Sequence, residues 1–409
     1  MFPSNFNLTN LSELRLDGNH FYRRIPDCLS NCSFLTTLDV SNNKLFGGIP
    51  RWMGNMSSLK EIVMAKNNLE GPIPEEFCQL NLKLLDLSVN NISGNLPSCF
   101  SRLRSSQVHL SRNKLQGPLI NAFRNNTFLV TLDLSHNHLT GNIPNWIGSL
   151  SQLSYLLLNN NHFEGEIPVQ LCKLSHLRLI SLSNNHLSGT IPPCHVAAVA
   201  QAPSSFSTED PIEFTTKNIS YSYKGRVLTY LSGIDISCNN LTGELPPQVK
   251  NIQNVRILNV SFNSLTGPIL PTISELRQIE SLDLSHNNFS GKIPSQLVGL
   301  NYLSFFSVAY NNLSGKTPER TAQFATFEES SYLGNPFLCG APLPNNCSDG
   351  PSSSMPKASN DNGSIDMYIF YWFVIKDSIV TKRQTCVHNT SKTSLNTTRR
   401  AKLHHTGYV

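Results

Sequence analysis

The stretch LVTLDLSHNHLTGNIP, residues 129–144, recurs along the chain, and no other feature restricts the fold so severely. LTTLDVSNNKLFGGIP (35–50) and IESLDLSHNNFSGKIP (279–294) follow the same template, LxxLxLxxNxLxGxIP. Its asparagine falls at Asn19, Asn43, Asn67, Asn90, Asn113, Asn137, Asn161 and Asn185, then at Asn239, Asn263, Asn287 and Asn311. The spacing is 23 or 24 residues throughout, except for 54 between Asn185 and Asn239.

Each template position has a physical task. The leucines of LxxLxL point inward from a short strand and its turn, and they become buried only when neighbouring coils stack. Each such burial stabilises by roughly 1.5–3 kcal/mol, which a single coil cannot realise alone. The asparagine amide can satisfy backbone groups of adjacent coils that a buried turn would orphan. Glycine permits positive φ, and Ile-Pro sets an extended segment. The expected product is a solenoid of about twelve coils with a parallel sheet on its concave face.

The LxGxIP half of the template resembles the plant-type leucine-rich repeat of extracellular proteins, over residues 2 to 347. That resemblance implies an α/β repeat solenoid, a horseshoe or superhelix with a concave parallel β-sheet. Leu270 replaces the Pro of the tenth repeat, Thr317 the Ile of the twelfth, and Ser105 a Leu of the fifth. The chain divides into repeats 1–8 (1–192), an insertion (193–230), repeats 9–12 (231–318), a C-terminal cap (319–350) and a polar linker (351–366). A short apolar run (367–375) and a basic tail (376–409) follow.

The insertion starts small and polar and ends in the aromatic, β-prone NISYSYKGRVLTY. It reads either as a tolerated loop, since long insertions cost little closure entropy, or as an island folded over the concave face. Eight repeats before it and four after it resemble plant receptor-like proteins, whose island often carries Lys-Gly. Tyr221, Tyr223, Lys224 and Gly225 are the matching residues here. In the cap, GNPFLCGAPLPNNC covers a solenoid end that would otherwise expose its core. The same motif closes plant leucine-rich repeat receptors, which implies a Cys339–Cys347 staple.

IDMYIFYW also resembles the receptor-like proteins, where it leads into the membrane helix. The nine uncharged residues at 367–375 fall short of the roughly 20 that a spanning helix needs. They read as the first turns of a helix whose remainder is missing. Phe2-Pro3 occupies the Ile-Pro position of a repeat without a beginning, and MFPSNFNLTN has no signal-peptide character. The expectation is a chain truncated at both ends.

The net charge of +5 does not mark a nucleic-acid partner. The tail from Lys376 holds seven basic residues and one Asp, leaving 25 basic and 26 acidic residues in the body. Ten cysteines and many N-x-S/T sequons point to export. Sequons at Asn91, Asn240, Asn288 and Asn312 come with the repeat; Asn7, Asn55, Asn125 and Asn218 do not and are the candidate glycan sites. A glycan on Asn259, in an outward slot of the tenth strand, would block ligand access there.

Cys78 and Cys99 follow their ladder asparagines by 11 and 9 residues, and Cys172 and Cys194 repeat the arrangement. The pairs read as inter-coil disulfides on the convex side, or as free thiols packed like small hydrophobes. Cys28 and Cys32 could bridge within one coil; neither Cys238 nor Cys386 is assigned a partner. His138, His162 and His186 should stack as a column in solvated turns.

Asp39, Asp86, Asp133, Asp235 and Asp283 belong to the LDLS consensus and read as scaffold. With no nucleophile–base set, metal-ligand spacing or kinase motif, an enzyme is not expected, and no cofactor or metal is implied. Binding on the concave strands is expected instead. The candidates are departures from the template: Lys60, Glu61, Val63 and Lys66; Gln107, His109 and Arg112; Tyr155, Leu157, Asn159 and Arg178. Drift explains any one of them as well as ligand binding does.

The resemblance implies the ectodomain of a kinase-less plant receptor at the plasma membrane, sensing a peptide or microbial elicitor in defence or development. Its partners would be a peptide or protein ligand, a membrane adaptor receptor kinase and a co-receptor kinase. The alternatives are a secreted inhibitor of a microbial cell-wall-degrading enzyme, resembling polygalacturonase-inhibiting proteins, and a non-functional truncated product.

Overall fold

The computed structural model describes residues 10–194, 212–216, 219–252 and 254–347. Twelve three-residue strands, from Glu13–Arg15 to Phe305–Ser307, form one parallel sheet along the concave face. Register is strict: Thr131, Leu132 and Asp133 pair with Tyr155, Leu156 and Leu157 of the next coil. The middle residue of each strand is apolar and nearly always buried, so alternation sends the flanking residues to the concave surface. The main apolar core runs from Ile25 to Leu338.

The asparagines work as the template requires. Asn137 accepts from Leu115 N at 3.0 Å through Oδ1, and its Nδ2 donates to Leu110 O at 3.0 Å and Leu134 O at 3.1 Å. The same pattern recurs from Asn43 to Asn311 and extends to Asn335 in the cap. Asn335 lies 24 residues after Asn311, so the periodicity that located the other twelve also marks this one.

Two features go beyond the expected sheet. The LxGxIP segments form a second parallel sheet of nine strands, from Phe46–Gly48 to Ser264–Leu265. Their extended backbone exposes N–H and C=O groups at the coil spacing, and the next coil satisfies them. The convex helical elements are all 3-10 turns of three to five residues; no α-helix occurs among the described residues. A repeat of 23 or 24 residues leaves too little chain there for a longer helix.

The insertion does not interrupt the solenoid. Leu179–Ser181 pairs directly with Gly233–Asp235, and Asn239 reaches back 52 residues to Leu187 N and 57 to Leu182 O. At the far end Phe306 meets Phe324, Phe327 and Tyr332 with ring centroids 5.0–5.9 Å apart, closing the core.

Disulfides join Cys78 to Cys99, Cys172 to Cys194 and Cys339 to Cys347, with Cα separations of 5.7, 5.0 and 5.1 Å. Cys28 and Cys32 are free thiols, contrary to a bridge within one coil; the coil turns Cys32 into the core and leaves Cys28 half-buried. Cys238 is disulfide-bonded, which corrects the reading that gave it no partner. It occupies the positive-φ position just before the ladder asparagine and is half-buried.

Candidate ligand-recognition site

Within the insertion, Ile212–Thr216 pairs antiparallel with Ile219–Tyr223, and a 3-10 turn at Gly225–Thr229 follows. In the first strand, Ile-Glu-Phe alternates, so Ile212 and Phe214 share one face. That face packs on the concave sheet. Ile212, Phe214 and Leu228 form a second apolar cluster with Val130, Tyr155, Leu157, Leu179 and Ile257.

Three polar contacts fasten the island. The Tyr155 hydroxyl donates to Leu228 O at 2.8 Å, Arg178 Nη2 donates to Thr229 O at 2.6 Å, and Arg112 pairs with Glu213 at 2.5 Å. Burial pushes the Tyr155 hydroxyl up to about 12, against the opposing pull of Arg178, so it remains a donor. Gly233 makes the seat possible: a Cβ there would lie 2.9 Å from the Phe214 ring and 3.1 Å from Ile257 Cβ.

The sequence candidates fall into two groups. In repeat 3, Lys60 and Lys66 are exposed, Val63 is half-buried, and Glu61 is half-buried near Lys83 at 3.8 Å. In repeats 5 to 8, Gln107, His109, Tyr155 and Leu157 are buried, while Asn159 and Arg178 are half-buried and Arg112 is exposed. Tyr155 and Leu157 therefore do not stand open to a ligand; they seat the island. Val130, Leu179, Ile257 and Gly233 complete that seat and were not among the candidates. The signal available was apolar residues in strand slots where the template carries Thr or Ser.

The exposed surface of the island is different in character. Tyr221, Val227 and Tyr230 are exposed, beside exposed Lys224 and Arg226. Gly225 holds φ at +75°, a conformation that suits glycine where the hairpin turns into the 3-10 segment. Tyr223 lies partly against the inner cluster, with its ring 6.1 Å from that of Tyr221.

The aspartates of the strands are scaffold. Asp133, Asp235 and Asp283 each accept from the serine two residues on, through both N–H and hydroxyl. Asn259 does the same for Ser261 and is only 8% exposed, so its sequon offers no accessible glycan site. Asn55 and Asn125 are exposed; Asn7, Asn218, the linker, the apolar run and the tail lie outside the described residues. His138, His162 and His186 stack at 5.9 and 5.6 Å on the exposed edge of the second sheet. Among the described residues no group of three potential metal ligands occurs, and no helix is long and apolar enough to cross a membrane.

Residues 33–92 match the family described as "Leucine rich repeat", and residues 10–32, 128–150, 152–174, 176–195, 230–252, 254–276 and 278–300 match "Leucine Rich Repeat" units. Cuscuta receptor 1 of Solanum lycopersicum is 70% identical over 155 residues, and Receptor-like protein 1 of Arabidopsis thaliana is 58% identical over 170. This chain is a leucine-rich repeat protein, similar to plant receptor-like proteins over part of its length. The matches cover 38% and 39% of this chain but only 14% and 16% of those two relatives. Among solved structures, the Arabidopsis receptor kinase HAESA in complex with the peptide hormone IDA and the co-receptor SERK1 is 26% identical, with a TM-score of 0.52. That similarity covers 81% of this chain and 62% of HAESA.

Proposed function

We propose that this chain is the ligand-recognition part of a plant cell-surface receptor that senses a peptide or microbial elicitor outside the cell. The observation that carries the reading is the island's exposed aromatic residues, held next to the residues that dock it. Ile212 and Phe214 are buried in docking to repeats 6 to 10, while Tyr221, the register partner of Phe214 on the same face, stays exposed, with exposed Val227 and Tyr230 in the turn that follows, among basic residues. Exposed aromatic and arginine side chains on a fixed platform are the usual anchors of protein interfaces. Lys60 and Lys66 of repeat 3 extend the same concave surface. The peptide complex of HAESA, a receptor of similar fold, favours a peptide as the ligand class. Signalling would then fall to a membrane adaptor kinase and a co-receptor kinase, the latter in the manner of the co-receptor SERK1 in the HAESA complex.

The test is selection of a displayed random-peptide library against the full chain, expressed with its disulfides. Peptides should be enriched, and their binding should be lost in the Tyr221→Ala/Lys224→Ala variant. Enrichment of peptides indifferent to those substitutions, or none at all, would overturn the reading.

A further inference from the structure

The concave strands of repeats 5 and 6 hold three buried polar atoms that make no hydrogen bond: Gln107 Oε1, His109 Nε2 and Thr131 Oγ1. Their residues are 3%, 4% and 0% exposed. Gln107 and His109 flank Val108 on one strand and so face the same side, about 7 Å apart, while Thr131 is the register partner of Gln107, about 5 Å away across the sheet. Buried polar groups are nearly always satisfied. Three adjacent exceptions on one face mark a place built to receive something polar.

The donor and acceptor inventory sets its chemistry. Gln107 Oε1 only accepts, while Thr131 Oγ1 and His109 Nε2 can each donate or accept. Asp86 and Asp133 are the register partners of His109 on either side, which disfavours a carboxylate or phosphate. The nearest charged rim is the Arg112–Glu213 pair, already neutralised and about half-exposed on both side chains. A neutral group offering both an N–H donor and a C=O acceptor fits this set.

We infer that Gln107, His109 and Thr131 form a receiving site for one amide group of the ligand, a main-chain peptide unit or a side-chain carboxamide. This inference rests on the peptide-receptor reading and adds a defined subsite to it.

The experiment uses the full chain with histidine rings isotopically labelled, and N-acetylglycine N-methylamide as the probe. The His109 ring signals, identified by their absence in His109→Asn, should shift saturably. In Gln107→Leu/Thr131→Val the apparent affinity should fall about tenfold or more, the share of one well-made hydrogen-bonded contact. The double variant should melt no lower than the parent, because no protein hydrogen bond of those two side-chain oxygens is lost. A linear, non-saturating shift would overturn the inference, since it indicates ordered water alone. So would a lower melting temperature of the double variant, or saturation by methyl glucoside and not by the amide. The library-selected peptides separate the two levels of the account. If the double variant binds them unchanged while Tyr221→Ala/Lys224→Ala does not, the amide site fails and the receptor reading stands. If neither variant alters binding, the receptor reading itself fails.

Discussion

Phe214→Ala isolates the island from the solenoid. Phe214 is buried against Val130, Tyr155, Leu157, Leu179 and Ile257, and its ring lies 2.9 Å from where a Cβ on Gly233 would sit. Emptying a buried phenylalanine site costs about 3–5 kcal/mol. The solenoid cannot absorb that loss, because Leu179–Ser181 already pairs with Gly233–Asp235 and the asparagine ladder passes beneath the insertion unbroken. The cost therefore falls on docking alone. Taking about 3 kcal/mol, the undocked population should rise roughly a hundredfold. Hydrogen exchange measured by mass spectrometry should show that loss of protection in residues 212–216 and 219–223, with the ladder strands unchanged. The main thermal transition should stay within about 1 °C of the parent, since surface-like losses leave global stability nearly untouched. A cooperative fall of the main transition, or unchanged protection of the hairpin, would refute the independence of island and solenoid.

Gly233→Val should displace Phe214 from the other side and reproduce the same exchange pattern while leaving residues 10–160 unaffected. Asn335→Ala removes the acceptor of Leu313 N and the donor to Val308 O and Tyr332 O, and should cost roughly 1–3 kcal/mol. That loss should be read as early exchange confined to residues 305–340, because each coil contacts only its neighbours. Burial, reinforced by Arg112, holds the His136 imidazole down at about 4, so the folded state stays neutral where the unfolded chain begins to protonate near 6.5. Stability from this group is therefore complete above about pH 6.5 and is lost as pH falls toward 4. His136→Gln should flatten that part of a denaturation-midpoint-versus-pH curve. Reducing Cys78–Cys99 and Cys172–Cys194, which close loops of 21 and 22 residues, should lower unfolding free energy by about 3 kcal/mol each in guanidinium titrations.

The repeat made most of the fold legible. A leucine or asparagine every 23 or 24 residues has one physical use, so the concave sheet and the ladder follow from counting. The second sheet was not read because it depends on backbone pairing between LxGxIP segments, to which no side chain commits. Asn335 was available to the same count but sits in a cap whose other residues abandon the template.

The site was legible in part. Gln107, His109, Arg112, Tyr155, Leu157 and Arg178 all stand out as departures from the template, and the last four touch the island. What sequence alone does not supply is which departures face solvent and which face another part of the chain. Leu179 and Ile257 look like drift until Ile212 and Phe214 are placed opposite them, and Gly233 looks ordinary until the Phe214 ring occupies its missing Cβ.

The central claim, that ligand is held on the exposed residues of the island and the adjoining concave strands, is most directly tested by photo-crosslinking a library-selected peptide. A photoreactive residue would be placed in turn at Tyr221, at Lys66 on the concave strand side, and at Val169 on the exposed convex side. The account predicts adducts from positions 221 and 66 and none from 169. Adducts from 169, or from none of the three while binding persists, would contradict it.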